Sequence, residues 1–444
     1  MSGVTPRAAG AGSGGAAAGA DALAAALPGL DAALARIAAG ADARDRADVP
    51  SFPDEAFEAL RACGALSWNA VAGPRRPPAA VELGLVRAVA AADGAVGRIV
   101  DGHLNAVERL AVHGEGELRR RELELVAAGR LLAGVWGGDP LPGEGPPAQL
   151  VRGGGKGVAA PPRDASAPSA GVAAPPRDAS APPAGDLRLR GVKTFCSGAG
   201  GLQRALVLAR GEDGEGPPLA AWVDLTRPGE VEVDEQWFAG AGMRASVSHR
   251  VVFHDATVLA LFGGPGELVR QPWFGRDALR TAASWAGIAA SAADAALALL
   301  RERPRRGELE GLAAGRILAA RATIELWVAE SAAAMERGDA ASPASEPSPS
   351  PSATELARTS ALARHAIAAA ARELLDDAAR ACGSRPFATG GRLDRARRDL
   401  ELFLLQHRLD PIVARAGAAA LDEDPAAPAQ TRPARPASAR PERG

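Results

Sequence analysis

The stretch LRLRGVKTFCSGAG, residues 187–200, begins as a β-like run and turns through Gly191. After this turn Phe195 and Ser197 stand two residues apart, and on a β-strand such side chains lie on the same face. An aromatic ring beside a hydroxyl donor suits a planar heteroaromatic cofactor. The alternative is a core phenylalanine followed by a turn serine, and this fragment alone leaves both interpretations open.

Short β-like runs continue on both sides of this stretch. Downstream they read RALVLAR, LAAWVDL and HRVVFHDATVLALF, separated by turns that contain Gly, Pro or Asp. Upstream, the Gly-rich segment GVWGGDPLPGEG at 134–145 carries Trp136 where helical sequence gives way to β-like sequence. We therefore predict a middle antiparallel β domain over residues 131–268.

Helical patterns flank the predicted β domain. Residues 21–130 alternate Ala/Leu-rich segments with charged ones, which favours an amino-terminal helical domain. Long helical segments return over 269–421, where Ile317, Ile324 and Val328 recur at helical spacing. About four helices with short connections predict a carboxyl-terminal four-helix bundle, so the predicted fold class is α+β.

Four segments contain too few large apolar residues to fold. We predict disordered tails over 1–20 and 422–444, and disordered inserts over 152–185 and 338–354. The first insert contains GVAAPPRDASAPSA followed at once by GVAAPPRDASAPPA, a tandem repeat rich in Pro that is typical of a linker.

Composition excludes several classes of protein. The 444 residues include 51 Lys and Arg against 53 Asp and Glu, so no global basic field indicates nucleic acid or an anionic membrane surface. The three cysteines, Cys63, Cys196 and Cys382, are odd in number and far apart, which argues against a disulfide framework and a cysteine-built zinc site. The reducing cytoplasm is therefore the expected compartment.

Neither a secretory signal nor a membrane span is predicted. The first 20 residues lack a compact apolar region. The most apolar stretch, residues 281–300, is Ala-rich and interrupted by Asp294, which is more typical of helices packed closely in a soluble protein than of a bilayer span.

The common chemical motifs are absent. The chain has no GxxxxGK[ST], HExxH, GxSxG or EF-hand pattern, and its one GxGxxG match, at residues 10–15, has no preceding strand. His249 and His254 are five residues apart in a predicted strand, so their side chains point to opposite faces. No metal site is predicted.

Six segments, in order over roughly residues 50–415, resemble the acyl-CoA dehydrogenase superfamily. RLRGVKTFCSGAG is similar to the family's G-x-K-x-[FW]-x-[ST] strand, and GMRASVSHRVVFHDATV is similar to its next conserved strand pattern. The other four resemble helices of the family, and they read FPDEAFEALRACGAL, AADGAVGRIVDGHLNAVERLAVHG, LRTAASWAGIAASAADAAL and ACGSRPF continued by RARRDLELFLLQH.

The resemblance implies a flavin, FAD in dehydrogenases, between the β domain and the bundle. Carried over by position, Val135 and Trp136 would meet the isoalloxazine edge. Phe195 would pack near the ring and Ser197 would hydrogen-bond to it.

Two further positions follow from the resemblance. Arg303 falls near the family's adenosine-phosphate arginine, although RERPRRG offers other arginines and the family's following Phe is missing. Gly383 corresponds to a glycine that approaches the cofactor of a neighbouring subunit. This sharing implies a homodimer or a homotetramer.

The usual catalytic base of the family is missing. Dehydrogenation of an acyl thioester, carried on coenzyme A or a carrier protein, needs a base for the α-proton. The family's Glu on the last helix is replaced here by His407, and near the alternative position before Arg280 the nearest carboxylate, Asp277, is off register. We therefore predict His407 as the catalytic residue.

Three functions remain open at this level. The first is an acyl-CoA dehydrogenase-type enzyme that passes electrons to a transfer partner. The second is a two-component monooxygenase of the same fold, which uses reduced FMN from a flavin reductase and is favoured by His407. The third is a non-catalytic binding module, which would hold no flavin.

Overall fold

The computed structural model describes residues 21–68, 70, 77–152, 187–212, 214–305, 307–341, 351–406 and 408–422. The predicted amino-terminal tail, the predicted carboxyl-terminal tail except Asp422, which is helical, and most of both predicted inserts lie outside the described residues. His407 lies outside them as well.

Helices form the amino-terminal part of the described chain. Their bounds are α1 Leu30–Arg46, α2 Asp54–Ala62, α3 Ala79–Ala92, α4 Gly94–His113 and α5 Gly116–Ala127. Asp93 caps α4, because its side chain accepts hydrogen bonds from the backbone N–H groups of Ala95 and Val96. This cap separates α3 from α4 and fixes the direction of the helix that contributes to the site.

Seven strands form one mixed sheet. They are β1 Ala133–Trp136, β2 Gln149–Arg152, β3 Leu187–Cys196, β4 Arg204–Ala209, β5 Leu219–Asp224, β6 Val231–Asp234 and β7 His249–Leu261. The order is β1-β4-β5-β7-β3-β2, and β6 also pairs with β7.

The sheet differs from the prediction in two details. It is antiparallel except for β1 and β4, which run parallel because a long connection returns the chain beside β1. The predicted insert begins one residue too early, since Arg152 ends β2 and pairs with Leu187 of β3.

The carboxyl-terminal part is helical. Its bounds are α6 Trp273–Arg301, α7 Glu308–Ala341, α8 Pro351–Cys382, α9 Arg385–Thr389, α10 Arg392–Leu405 and α11 Asp410–Asp422. α6 packs against α3, α7, α8 and α10. The predicted α+β architecture, in which helices precede and follow the strands along the chain, is confirmed.

The predicted insert over 338–354 is too wide. α7 continues to Ala341 and α8 begins at Pro351. The carboxylate of Asp339 accepts hydrogen bonds from Arg276 at 2.9 and 3.1 Å, which ties the end of α7 to α6. Proline suits the first position of a helix, where its missing N–H would have no acceptor.

α6 is the central helix of the bundle. It is the described helix that is long and apolar enough to span a membrane by length and composition, and 78% of its most apolar window is buried inside the fold. A Cβ on Gly287 would lie 2.3 Å from the carbonyl oxygen of Arg87 on α3, so only glycine permits this helix contact. The small residues of α6 therefore serve close helix packing, as the sequence predicts.

Candidate functional site

A cavity of about 550 Å³ lies between the sheet and the helices. Its sheet side is formed by Val135, Gly137, Gly138, Phe195, Ser197, Leu208, Ser246 and Ser248. Its helical side includes Arg98, Asn105, Asp277, Thr281, Arg364 and Phe403. This volume is within the range of small-molecule and cofactor sites, and the lining combines apolar surface with a few polar groups.

Phe195 presents its ring to the cavity through an irregular strand. The β3–β7 register shifts between Lys193 and Cys196, and Phe195 has a left-handed backbone with φ of 53°. Such a conformation costs about 1–3 kcal/mol for a residue other than glycine. The side chain is 52% exposed and meets Trp237 edge-on, with ring centroids 4.9 Å apart. The regular strand alternation assumed from the sequence is therefore wrong, although both predicted residues reach the cavity.

Three serine hydroxyls form a chain along the sheet side. Ser197 Oγ lies 2.9 Å from Ser248 Oγ, which lies 2.7 Å from Ser246 Oγ. Two internal hydrogen bonds use two of the three hydroxyl protons. Among the described residues the third proton has no other acceptor, and it lies on Ser197 when Ser246 donates to Ser248 and Ser248 donates to Ser197.

Trp136 does not face the cavity, contrary to the expectation from the resemblance. Adjacent side chains on a strand point to opposite faces, so Val135 lines the cavity while Trp136 enters the core and is 1% exposed. Its indole Nε1 donates to the carbonyl oxygen of Ser197 at 3.0 Å. Trp136 therefore holds the backbone of Ser197 from the core side of the sheet, without lining the cavity.

Asp277 lines the cavity and is bound by two arginines. It accepts a hydrogen bond from Arg109 at 2.5 Å and one from Arg280 at 3.3 Å. Burial raises the pKa of the Asp277 carboxyl, against the opposing effect of the two guanidinium groups. Among the described residues, it is the one carboxylate in the lining.

The same arginines belong to a buried ionic network between α3, α4 and α6. Arg280 donates to Glu108 at 2.9 Å, to Asn105 at 3.0 Å and to Glu82. Arg276 donates to Glu108 at 2.7 Å. Asn105 and Asp277 are the members of the network that line the cavity, so these helices position them rigidly.

Two further arginines lie beside an aromatic pair on the helical side. The guanidinium carbon of Arg98 lies 5.6 Å from the ring centroid of Phe403, and that of Arg364 lies 5.6 Å from Trp285. The two aromatic rings meet edge-on, with centroids 6.0 Å apart. Arg98 also forms an ion pair with the buried Asp101.

Arg303 and Gly383 are not brought to this cavity. Arg303 lines a second cavity of about 530 Å³ together with Cys382, the neighbour of Gly383. It donates to Glu310 at 2.8 Å and also to the carbonyl oxygen of Ala381. The described lining residues of the two cavities do not overlap.

The position of His407 is outside the described residues, so its predicted role stays a prediction. Its chain neighbours Leu405 and Gln406 both line the first cavity.

Sequence reasoning missed several residues of this cavity. Ser246 and Ser248 alternate in ASVSH, and this spacing resembles that of Phe195 and Ser197, so a signal was present. Arg364 carries no comparable signal, because its environment is formed by helices distant in sequence.

Within the described ranges, no group of three or more His, Cys, Asp or Glu side chains could hold a metal ion.

The architecture, with amino-terminal helices, a central sheet, a helical bundle and a cavity between them, is the acyl-CoA dehydrogenase-like fold. The predicted resemblance to this superfamily is confirmed at the level of the fold. No protein-family model and no curated protein matches the chain.

Several solved structures share the fold. KijD3 in complex with FMN and a dTDP-linked amino-keto sugar is 21% identical with a TM-score of 0.71, over 92% of this chain and 95% of KijD3. TdsC from Paenibacillus sp. A11-2 with FMN and indole is 20% identical with a TM-score of 0.68, over 88% and 96%. The methanesulfinate monooxygenase MsuC from Pseudomonas fluorescens is 21% identical with a TM-score of 0.67, over 88% and 95%.

Proposed function

We propose that the chain is a flavin-dependent oxidoreductase that binds FMN in the first cavity and acts as a two-component monooxygenase. The observation that carries the proposal is the junction of an exposed aromatic ring, Phe195, with the serine chain at Ser197 in one cavity. FMN in the KijD3 and TdsC structures supports the predicted alternative of reduced FMN over FAD.

The sheet side of the cavity fits a flavin. The ring of Phe195 offers an apolar face for a planar heteroaromatic group, and Ser197 can donate a hydroxyl proton to one of its polar atoms. A Cβ on Gly138 would lie 2.6 Å from the carbonyl oxygen of Thr194, so only glycine allows the backbone at residue 138 to pack this closely against β3 beside the cavity. Val135 completes the apolar edge.

A bound reduced flavin supplies two electrons, so that one oxygen atom of O₂ enters the substrate and the other leaves as water. The protein contributes orientation and exclusion of water. Phe195, Phe238 and Phe403 shield the cavity with apolar surface, and the Ser197 hydroxyl would donate to the ligand when Ser246 donates to Ser248 and Ser248 donates to Ser197.

The state of the cavity carboxylate favours oxygenation over dehydrogenation. Removal of an α-proton needs a free base, whereas Asp277 is held by Arg109 and Arg280. Its two oxygens each accept a hydrogen bond from one of these guanidinium groups, so neither oxygen is free to approach a substrate proton.

Acyl thioester dehydrogenation is the second candidate, and the same residue supports it. Burial raises the pKa of Asp277 although both arginines contact it, so this carboxylate would be a stronger base than an ordinary aspartate. Asp277→Asn should abolish dehydrogenation, but it should leave oxygenation within about threefold of the wild-type rate.

The two candidates can be separated with purified protein. We expect FMN to bind, as measured by quenching of flavin fluorescence, and octanoyl-CoA added without oxygen to leave the flavin band unchanged. With a flavin reductase, NADH and isotope-labelled dioxygen, the product of an accepted substrate should carry one labelled oxygen atom, and a panel of small neutral and anionic aromatic compounds would identify that substrate. Bleaching of the flavin band by octanoyl-CoA would favour the dehydrogenase. Failure to bind any flavin would favour the third hypothesis, a non-catalytic binding module.

His407 remains a proposed catalytic residue on sequence grounds. We expect His407→Ala to lower turnover strongly while FMN occupancy stays near normal. Unchanged turnover would exclude a chemical role for this histidine.

The proposal includes partners and compartment. A cytoplasmic flavin reductase would supply the reduced cofactor, and a homodimer or homotetramer is supported by four exposed leucines on α7: Leu309, Leu312, Leu318 and Leu326. Light scattering should give a mass of at least two chains, and a monomer would contradict this part of the proposal.

A further inference from the structure

Arg364 is a buried cation without a counter-charge among the described residues. It lines the first cavity from α8, is 2% exposed, and its Nε and Nη2 atoms have no hydrogen-bond partner in the part of the chain that the structure describes. Its guanidinium lies over the ring of Trp285, which supplies attraction but accepts no strong hydrogen bond.

The other charged groups of the cavity are paired. Arg98 pairs with Asp101, whose carboxylate also accepts from Ser284 at 2.9 Å. Asp277 pairs with Arg109 and with Arg280. Arg364 is therefore the charge in the described lining that remains uncompensated.

Burial makes this arrangement unfavourable in the absence of a ligand. An unpaired buried charge is strongly destabilising, and unsatisfied donors add to that cost. Burial lowers the pKa of the Arg364 guanidinium to about 10, so the group remains protonated at neutral pH. An anion in the cavity would remove this cost by supplying both charge and hydrogen-bond acceptors.

We propose that Arg364 is a specificity-determining residue that binds an oxyanion of the substrate, so that the substrate is a small compound joining a carboxylate or similar oxyanion to an apolar body. The apolar body would contact Phe403 and Leu402, which line the cavity near the arginines. This inference deepens the proposed function and rests on it for the reaction, although the binding step can be tested alone.

The position of Arg364 separates it from the proposed cofactor contacts. Phe195 and Ser197 belong to the sheet side of the cavity, whereas Arg364 belongs to the helical side with Phe403. A planar cofactor on the sheet side would leave the guanidinium facing the space for substrate.

The test compares anions with neutral isosteres. Acetate and benzoate are titrated against their isosteres acetamide and benzamide by calorimetry, with and without FMN. We expect at least one anion to bind at least about tenfold more tightly than its neutral counterpart in both forms, because only an anion neutralises the guanidinium.

Three variants assign this preference to Arg364. Arg364→Met should remove the preference, Arg364→Lys should retain part of it, and Arg372→Met should leave it unchanged, since Arg372 is exposed on the same helix. The ligand-free Arg364→Met protein should melt at the wild-type temperature or above, because it loses an unpaired buried charge.

The outcomes are distinguishable. Equal binding of anions and amides, or an anion preference that survives in Arg364→Met, would overturn the proposal. A loss of FMN binding in that variant would mean that Arg364 binds the cofactor. A lower melting temperature would mean that Arg364 stabilises the fold. Either result would also overturn the proposal. Anion preference in a protein that never binds flavin would uphold this site and refute the proposed function.

Discussion

The indole Nε1 of Trp136 donates a hydrogen bond of 3.0 Å to the carbonyl oxygen of Ser197. This bond joins β1 to the turn after β3, and it fixes the backbone from which the Ser197 hydroxyl enters the cavity. Trp136, which the proposed cofactor would not contact, therefore controls the position of Ser197, which the cofactor would contact.

Replacement of Trp136 by Phe should weaken the site through this backbone contact. The variant keeps an apolar ring in the core but loses the indole donor, so we expect a loss of about 1 kcal/mol in stability and a several-fold loss of FMN affinity. Denaturant unfolding and flavin fluorescence measure the two effects. Wild-type FMN affinity in a destabilised variant would show that the bond serves folding alone.

Phe195→Ala tests the aromatic surface of the proposed flavin site. The exposed ring contributes little to the core, so stability should change by less than about 1 kcal/mol, whereas FMN affinity should fall at least about tenfold. Phe387→Ala, which alters an aromatic ring outside the first cavity, is the matched control. Equal FMN affinity in both variants would contradict the placement of the flavin against Phe195.

Asp399 gives the fold a pH dependence. Its buried carboxyl accepts a hydrogen bond from the backbone N–H of Met243, a residue of the cavity lining, at 2.5 Å. Burial, reinforced by the nearby carboxylates of Asp93 and Asp45, raises the pKa of Asp399 to about 7. Because the folded state binds this proton more tightly than the unfolded state does, the contribution of Asp399 to stability falls as pH rises from about 4 to about 7.

Asp399→Asn should therefore flatten the dependence of melting temperature on pH. The amide keeps an acceptor for Met243 without becoming charged. The free energy of unfolding of the variant should therefore exceed that of the wild type by on the order of 1–4 kcal/mol at pH 8 and equal it near pH 4.5. Melting curves across this range provide the check. Parallel curves for the two proteins would refute the raised pKa.

Deletion of one copy of the tandem repeat, residues 171–184, should leave the fold intact. The ends of the connection are held by the β2–β3 pairing of Arg152 with Leu187, and the cost of closing a loop varies only slowly with its length. We expect an unchanged melting temperature and unchanged FMN affinity. A fall of several degrees would mean that the repeat packs against the folded protein.

Local pattern predicted the type of most elements, because helical and strand periods are recorded in neighbouring residues. The pair Phe195 and Ser197 was also within reach, since their spacing is short. The left-handed backbone at Phe195 was not, because the register shift depends on the pairing of β3 with β7.

Contacts between distant segments explain the remaining errors. The parallel pairing of β1 with β4 depends on how the chain returns, and the environment of Arg364 depends on Trp285, which lies on another helix. For Trp136, strand alternation already implies that it and Val135 cannot both face one ligand, so a position carried over from a resemblance needs this geometric check.

The β2–β3 ladder also offers a practical attachment point. Paired residues in an antiparallel ladder have Cα atoms only about 5 Å apart, so the chain leaves the sheet at Arg152 and re-enters at Leu187 across a narrow gap. A domain whose own termini are close together, such as a fluorescent reporter, should be accepted there without separating the strands. The protein could then carry an internal label.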